Sequence, residues 1–307
     1  MMDYILITGA TGFIGSHLVE RLLNENYQVI LLKRSFSNTW RIKQLLNKFS
    51  KQLVLVDIDL TNLEEIFSKY SIEGVFHLAT YYNKNPTFEE IHPMAESNIL
   101  FPIDILNLAV KYNVKYFINT GTFMEYTLNK KQLVSSYDLD PKTFYATTKI
   151  SFEEIVKYYM RNHDIKASTL KIYSPYGDKD DVNKIIPYLI NNLLNNNNIS
   201  INNPNNQLNL VYVDDIVSAF IKVRENILEF NKYESFDVAG NFSYSLNDIY
   251  DFIENYIKKN NIIDINGFEI NNIPNIKYNK KISWNPEINI KIGLIKTIEY
   301  YKKIREE

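Results

Sequence analysis

Tyr145 and Lys149 stand four residues apart in the run Tyr145-Ala-Thr-Thr-Lys149. On a helix such a pair shares one face, with Cβ atoms about 5–6 Å apart. A free phenol, with a pKa near ~10, relays protons poorly at neutral pH, and a neighbouring ammonium is expected to lower that value by favouring the phenolate. The pair is thereby suited to general acid–base work on a carbonyl or an alcohol. Taken alone the pattern is weak, because the chain holds 23 tyrosines and such a pair is more often a solvated helix face. Position gives it weight. Upstream, Lys115 to Thr120 reads as a strand that runs into Gly121-Thr122, and in an open α/β sheet ligands lie at the carboxyl ends of strands.

These side chains need a scaffold, and its first piece is Tyr4 to Leu18, YILITGATGFIGSHL. Tyr4 to Ile7 forms a short buried strand. Gly9, Gly12 and Gly15 follow where a Cβ would obstruct the turn, the approach of a pyrophosphate and helix–strand packing. The spacing differs from G-x-G-x-x-G, yet its place between a strand and a helix points to dinucleotide binding rather than a plain turn. From Gly12 to Asn24 apolar residues recur at helical spacing, so free N–H groups and a positive dipole end face the glycines. The second strand, Val29 to Leu32, ends in Lys33-Arg34 where the adenosine ribose would lie. A carboxylate there suits the 2′-OH of NAD and a cation the 2′-phosphate of NADP, so the pair favours NADP over the alternative, NAD.

Further strands are expected at Gln52 to Val56, leading into Asp57-Ile58-Asp59, and at Glu73 to Ala79, Lys166 to Ile172, Leu208 to Val213, Phe236 to Val238 and Phe268 to Ile270. Helices are expected at Leu63 to Tyr70, Ile91 to Tyr112 (kinked or broken at Pro102), Tyr145 to Asn162, Ile185 to Leu194, Asp214 to Phe230 (capped by Asp214 or Asp215), Leu246 to Ile257 and Lys291 to Lys303. The asparagine-rich stretch Asn191 to Gln207 reads as an ordered loop with a short strand near Ile199 and Ile201. Alternation of short apolar strands with amphipathic helices implies a parallel sheet covered on both faces. His77, inside an apolar strand, reads as a core histidine.

Composition excludes other chemistries. The 307 residues hold 34 Lys and Arg against 36 Asp and Glu, leaving no electrostatic footprint for nucleic acid and no basic block for a membrane surface. There is no cysteine, so disulfides and thiolate chemistry are absent, and the four histidines lack metal-ligand spacing, so no metal is expected. Without a signal-like N-terminus or a long apolar run, the chain reads as cytoplasmic.

In their order TGATGFIGSHL (Thr8 to Leu18), HLAT (His77 to Thr80), Asn98, NTGT (Asn119 to Thr122), YATTK (Tyr145 to Lys149), YVDD (Tyr212 to Asp215) and SWNPEI (Ser283 to Ile288), the motifs resemble the extended short-chain dehydrogenase/reductases, the NAD(P)-dependent nucleotide-sugar epimerase/dehydratase family. The resemblance covers nearly the whole chain. It implies an α/β fold, a Rossmann-type doubly wound parallel sheet with a smaller, mixed α/β C-terminal substrate domain. Residues 1–174 would bind the dinucleotide, with 208–230 packing back on them, while 175–207 and 231–307 would bind substrate.

By that resemblance Thr122, Tyr145 and Lys149 are the catalytic set, Tyr145 giving a proton to a sugar carbonyl oxygen that Thr122 hydrogen-bonds. The cofactor, NADPH/NADP, would be held by Gly9, Thr11, Gly12, Phe13, Ile14 and Gly15, by Lys33 and Arg34, and by Asp57 and Ile58, with Asp59 as an alternative to Asp57. Leu78, Ala79, Thr80, Asn98, Thr120, Tyr145, Lys149, Tyr173 and Pro175 would line it further. Tyr81, Thr122, Phe123, Met124, Ser174 and Ile186 would meet a nucleotide-sugar substrate. Sugar dehydratases carry Asp and Glu where Phe123 and Met124 stand, which disfavours elimination. The combination most resembles 4-keto-sugar reductases of the CDP-abequose and CDP-paratose synthase type, used in surface-polysaccharide sugar biosynthesis, with an NAD-dependent 4-epimerase as the alternative. Leu208 occupies the place of an arginine that usually pairs with the diphosphate, so either another cation, such as Lys179 or Lys184, serves, or the substrate is bound differently. The helices at Ile91 to Tyr112 and Tyr145 to Asn162 resemble those that form homodimers.

Overall fold

The computed structural model describes residues 3–126, 139–258 and 280–306, so the expected strand at Phe268 to Ile270 lies outside the described residues. In chain order the elements are β1 (Tyr4–Thr8), α1 (Phe13–Asn24), β2 (Gln28–Lys33), α2 (Lys43–Lys48), β3 (Leu53–Asp57), α3 (Leu63–Lys69), β4 (Ile72–His77), α4 (Phe88–Ala95), α5 (Phe101–Lys111), β5 (Tyr116–Thr122) and α6 (Phe144–Asn162). They continue with β6 (Lys166–Ile172), β7 (Ser174–Tyr176), α7 (Ile185–Leu194), β8 (Gln207–Leu208), β9 (Leu210–Tyr212), α8 (Val213–Asn226), β10 (Tyr233–Val238), β11 (Tyr244–Ser245), α9 (Leu246–Lys258) and α10 (Ile290–Glu306).

Two compact units result, one of residues 1–172, 217–237 and 277–284, the other of 173–216, 238–276 and 285–307. The first is built on a seven-stranded sheet of order β10-β6-β5-β4-β1-β2-β3. Strands β1 to β6 pair in parallel, and β4 lies beside β1 although β2 and β3 intervene in sequence. The order therefore reverses between β1 and β4, which opens a crevice at their carboxyl ends. Near-continuous apolar strands such as Ile5, Leu6 and Ile7 have no exposed face because helices cover both sides. Leu6, Ile30, Val75 and Phe117 pack with Ile105, Leu106, Phe152 and Val156 from α5 and α6 in one core.

Near that crevice the backbone has no room for side chains. Gly9 takes φ +69°, and a Cβ there would lie 2.6 Å from Ala79 N. A Cβ on Gly15 would sit 2.2 Å from the Gly9 carbonyl oxygen, so α1 touches the turn backbone to backbone. Neither contact can relax by rotating a side chain.

The second unit pairs β7 with β9 in parallel and β8 with β11 in antiparallel fashion. Tyr176 and Tyr212 meet edge to face at 5.5 Å, and Tyr176 presses on Gly293 of α10, where a Cβ would lie 2.0 Å from its hydroxyl.

Several sequence expectations need correction. The single helix expected from Ile91 to Tyr112 is α4, a π-helical turn at Glu96–Leu100 and α5; the break falls in the π turn, and Pro102 sits harmlessly in the first turn of α5, where its missing N–H costs nothing. Asp215 does not cap α8: its carboxylate accepts the N–H groups of Glu287 and Ile288 at 3.0 Å each. No strand forms near Ile199 or Ile201, and the short strand is β8. The strand expected from Leu208 to Val213 is interrupted at buried Asn209, whose amide binds the carbonyls of Gly240 and Phe242 instead of continuing a ladder. The short helix α2 and the helical turn before it carry no clear sequence signal, because Lys and Gln blur their apolar spacing.

The glycine contacts yield a graded expectation. Gly15→Ala should lower unfolding free energy by roughly 2–4 kcal/mol, as expected for overpacking against backbone. Gly12→Ala, whose Cβ would lie 3.1 Å from the Gly9 carbonyl, should cost much less. Denaturant midpoints of the two variants check the order; equal losses would show that the turn shifts freely.

Candidate cofactor and catalytic site

The carboxyl ends of β1 and β4 are tied by polar contacts with no exposed group. Thr8 Oγ1 accepts the Ala79 N–H at 3.1 Å and shares a hydrogen bond with His77 Nδ1 at 2.8 Å, while Thr120 Oγ1 donates to the His77 carbonyl at 3.1 Å. Burial, reinforced by the nearby Lys149 charge, holds the His77 imidazole well below its ordinary pKa, so it is the neutral core histidine that the sequence implied. Around this knot lie Gly9, Thr11, Gly12, Phe13, Ile14 and Gly15 of the turn and first helix, with Leu78, Ala79 and Thr80 after β4. α1 starts at Phe13 with Gly12 as its N-cap and no side-chain cap, leaving N–H groups there for an anion. This turn, backed by glycines where a Cβ would collide, fits a dinucleotide pyrophosphate.

At the next strand ends the cations have partners. Lys33 Nζ lies 2.6 Å from Asp57 Oδ2, and Arg34 Nε 2.7 Å from Asp59 Oδ1. Hydrogen bonding to Lys33, helped by Ser35 and the Asp59 N–H, holds the Asp57 carboxyl below its ordinary value. Arg34 keeps half its side chain exposed and lies over the Phe36 ring at 5.2 Å. Ile58, half-buried, follows Asp57. A contributor the sequence did not signal is Arg41, whose Nη1 approaches the Thr11 carbonyl at 3.5 Å.

Asn98 sits in the π turn, buried, and closes the other side. Its Oδ1 accepts the Tyr81 N–H at 2.7 Å and the Thr80 hydroxyl at 3.1 Å; its amide donates to the Tyr81 carbonyl at 3.0 Å and to Thr148 Oγ1 at 3.1 Å. One side chain thus pins the loop after β4 to helix α6, and a π turn aims it there. The Tyr81 hydroxyl, expected to meet substrate, donates to Glu90 at 2.5 Å.

On α6, Tyr145 and Lys149 are both buried, so their shared face is no solvated one. Burial pushes the Tyr145 phenol above its ordinary pKa; the Glu125 charge adds to the rise and a hydrogen bond with Thr80 opposes it. The lowering expected from Lys149 does not act on the phenol, and burial dominates. Burial also brings Lys149 down to about 8, against the pull of Glu125. The Tyr82 ring stands edge-on to Tyr145 at 4.8 Å.

Thr122, at the end of β5, opens a single 3₁₀ turn, Phe123–Glu125, with a reciprocal capping box: its hydroxyl oxygen accepts the Met124 N–H at 3.3 Å while Glu125 Oε1 accepts the Thr122 N–H at 2.7 Å. Thr122-x-x-Glu125 is a capping signature in the sequence itself. The other oxygen of Glu125 lies 2.6 Å from Lys171 Nζ, which stands 3.0 Å from Glu153; all three side chains are buried. Phe123 and Met124 are half-buried and carry no ionisable group.

The remaining expected residues belong to the second unit. Tyr173 is buried, and its N–H donates to the Val238 carbonyl at 3.0 Å; Ser174 and Pro175 begin β7 half-buried. Ile186 is buried on α7. Leu208 pairs with Tyr244 across β8 and β11, while Lys179 takes φ +63° after β7 and Lys184 precedes α7.

A doubly wound parallel sheet with a glycine-lined turn at its reversal point defines a dinucleotide-binding α/β protein. The chain belongs to the NAD dependent epimerase/dehydratase family, which matches residues 5–239. It is 27% identical over 303 residues to a CDP-abequose synthase of Salmonella muenchen, covering 96% of each chain. It is also 27% identical over 319 residues to a UDP-glucuronate 4-epimerase of Thermodesulfobacterium geofontis, covering 98% of this chain and 97% of the other. The same fold is seen in a UDP-glucose 4-epimerase of Thermotoga maritima, with a TM-score of 0.81 at 24% identity over 98% of this chain and 99% of that one. Among the described residues, no helix is long and apolar enough to cross a membrane.

The His77 environment has a measurable sign. Its folded pKa is depressed, so its stabilising contribution is complete above the unfolded value of about 6.5 and is withdrawn as pH falls below it. In NMR its ring protons should hold still across the pH range in which ordinary histidines titrate; a full titration there would place the ring in contact with water.

Proposed function

We propose that the protein is an NADPH-dependent reductase of the 4-keto group of a nucleotide-linked deoxy sugar, acting in surface-polysaccharide sugar biosynthesis. The observation that carries this reading is the surroundings of Thr122. The resemblance to sugar dehydratases puts their elimination acid and base at the two following positions, and Phe123 and Met124 cannot exchange protons. The next carboxylate, Glu125, is buried and committed to Lys171 and to the Thr122 N–H, so it cannot act as an elimination base. The likeness to a CDP-abequose synthase along nearly the whole chain supports the same reading.

The dinucleotide would be held at the Gly9 to Gly15 turn, with Lys149 at its nicotinamide ribose, and supplies hydride when bound. Tyr145 protonates the carbonyl oxygen of the reduced carbon. Its raised pKa keeps the phenol protonated at neutral pH, which suits an acid rather than a base. Thr122 uses its oxygen to accept the Met124 N–H, so its hydrogen is the part left to give to the reacting oxygen. Arg34, half exposed, supports NADPH, since a 2′-phosphate can take the place of Asp59 beside it. A 4-epimerase with retained NAD is the second reading; the pairing of Lys33 with Asp57, which offers a carboxylate beside the ribose position, favours it. A cytoplasmic homodimer through α5 and α6, on which Leu100 just before α5 and Tyr158 stay exposed, belongs to the same proposal.

Purified protein should oxidise NADPH in preference to NADH with at least one member of a panel of CDP-, GDP-, dTDP- and UDP-linked 4-keto sugars. Tyr145→Phe should lower kcat by at least about a hundredfold with cofactor affinity retained, the scale of a lost general acid. Tight NAD released on denaturation, with turnover but no net redox change, would replace the reductase by the epimerase. Sedimentation should give a dimer; a monomer independent of concentration would refute the interface.

A further inference from the structure

Glu125 is a fully buried carboxylate that no general role in dinucleotide or sugar binding explains. It is held from three elements: Lys171 Nζ of β6 lies 2.6 Å from Oε2, the Thr122 N–H of β5 2.7 Å from Oε1, and Glu153 of α6 shares Lys171 at 3.0 Å. Lys157, one turn further along α6, neutralises the second oxygen of Glu153 at 3.1 Å. The floor is completed by Tyr126, whose ring lies under Lys171 at 4.9 Å and whose hydroxyl donates to Asp237 of β10 at 2.8 Å, and by the Tyr233 ring, over which Lys157 lies at 5.5 Å. The Glu125 charge also acts on Tyr145 and Lys149 of α6. A single 3₁₀ turn does not need such an anchor, because a surface cap is worth only about 1 kcal/mol and an ordinary polar side chain supplies it. Burying charge is costly unless every partner is in place.

We propose that Glu125 is a positioning residue for the reaction: by closing the capping box on the Thr122 N–H, with Lys171 holding its carboxylate in register, it fixes the Thr122 hydroxyl as a donor toward the reacting oxygen. The reciprocal geometry gives the reason. With the Thr122 oxygen accepting from the turn and its N–H given to Glu125, both backbone and side chain are held, and the O–H bond has one direction left. The same charge acts on the neighbours. It raises the Tyr145 phenol and the Lys149 ammonium, keeping both protonated, and burial brings Glu125 itself up to about 7.

This inference rests on the reading of Thr122 and Tyr145 as the groups that meet the reacting oxygen, and two substitutions separate its parts. Glu125→Gln keeps an acceptor for the Thr122 N–H and removes the charge; kcat should fall by roughly tenfold, and the alkaline limb of its pH profile should move down by about one unit. Glu125→Asp keeps the charge but withdraws the acceptor by one methylene; kcat should fall about a hundredfold, with KM and cofactor affinity unchanged and the limb in place. Parent-like kcat and pH limb in both variants would overturn the proposal while leaving the reductase intact. The wild-type protein gives an answer that needs neither substrate nor a variant. The Thr122 amide resonance should shift as Glu125 titrates, and an amide that does not move through the Glu125 titration would overturn the proposed contact. If no keto sugar is reduced but the amide titrates, the reductase reading fails and the Glu125 anchor stands.

Discussion

A lysine of β6 with 4% of its side chain exposed lies beside the end of β5, and the site depends on how its charge is balanced. Taking an ammonium out of water costs several kcal/mol even after relaxation, and only well-placed partners return it. Lys171 finds two carboxylates, one on the turn after β5 and one on α6, so its burial forces the strand, the turn and the helix into one relative placement. Burial and the competition for one cation push the two carboxyls apart. Glu125 is driven up to about 7, whereas Glu153, though also opposed by burial, ends below its ordinary value because Lys171 and Lys157 both act on it. The consequence reaches the reacting groups, since Thr122 is on that turn and Tyr145 and Lys149 are on that helix.

A second, uncharged device serves the opposite side. The π turn at Glu96–Leu100 inserts one extra residue per turn into what would be a straight helix, and Asn98 then points its amide at the loop after β4 and at Thr148. All of its polar contacts are made, so it rigidifies without leaving a buried group unpaired. Together the ionic cluster and this amide hold α6 from both ends of the crevice, and the buried face carrying Tyr145 and Lys149 has no freedom to turn outward.

Much of this was legible in the chain. The strand–glycine–helix unit at Tyr4 to Leu18, the alternation of apolar strands with amphipathic helices and the order of the motifs were readable because they are local, set by spacing of two or 3.6 residues and by positions where only glycine fits. The pairing of Lys33 with Asp57 was not, since the partners are brought side by side by the register of β2 on β3. Arg41, Tyr82 and Lys171 carried no local signature.

The sequence by itself determined the fold class and the presence of Thr122, Tyr145 and Lys149 in order, since periodicity and glycine placement act over a few residues. The tertiary structure alone decided the protonation of that set. Burial raises the Tyr145 phenol where its spacing from Lys149 implied a lowering, and Glu125 adds to the rise from across the sheet end. Desolvation and charge at a distance depend on what folds over a residue, and residues far apart in the chain supply both.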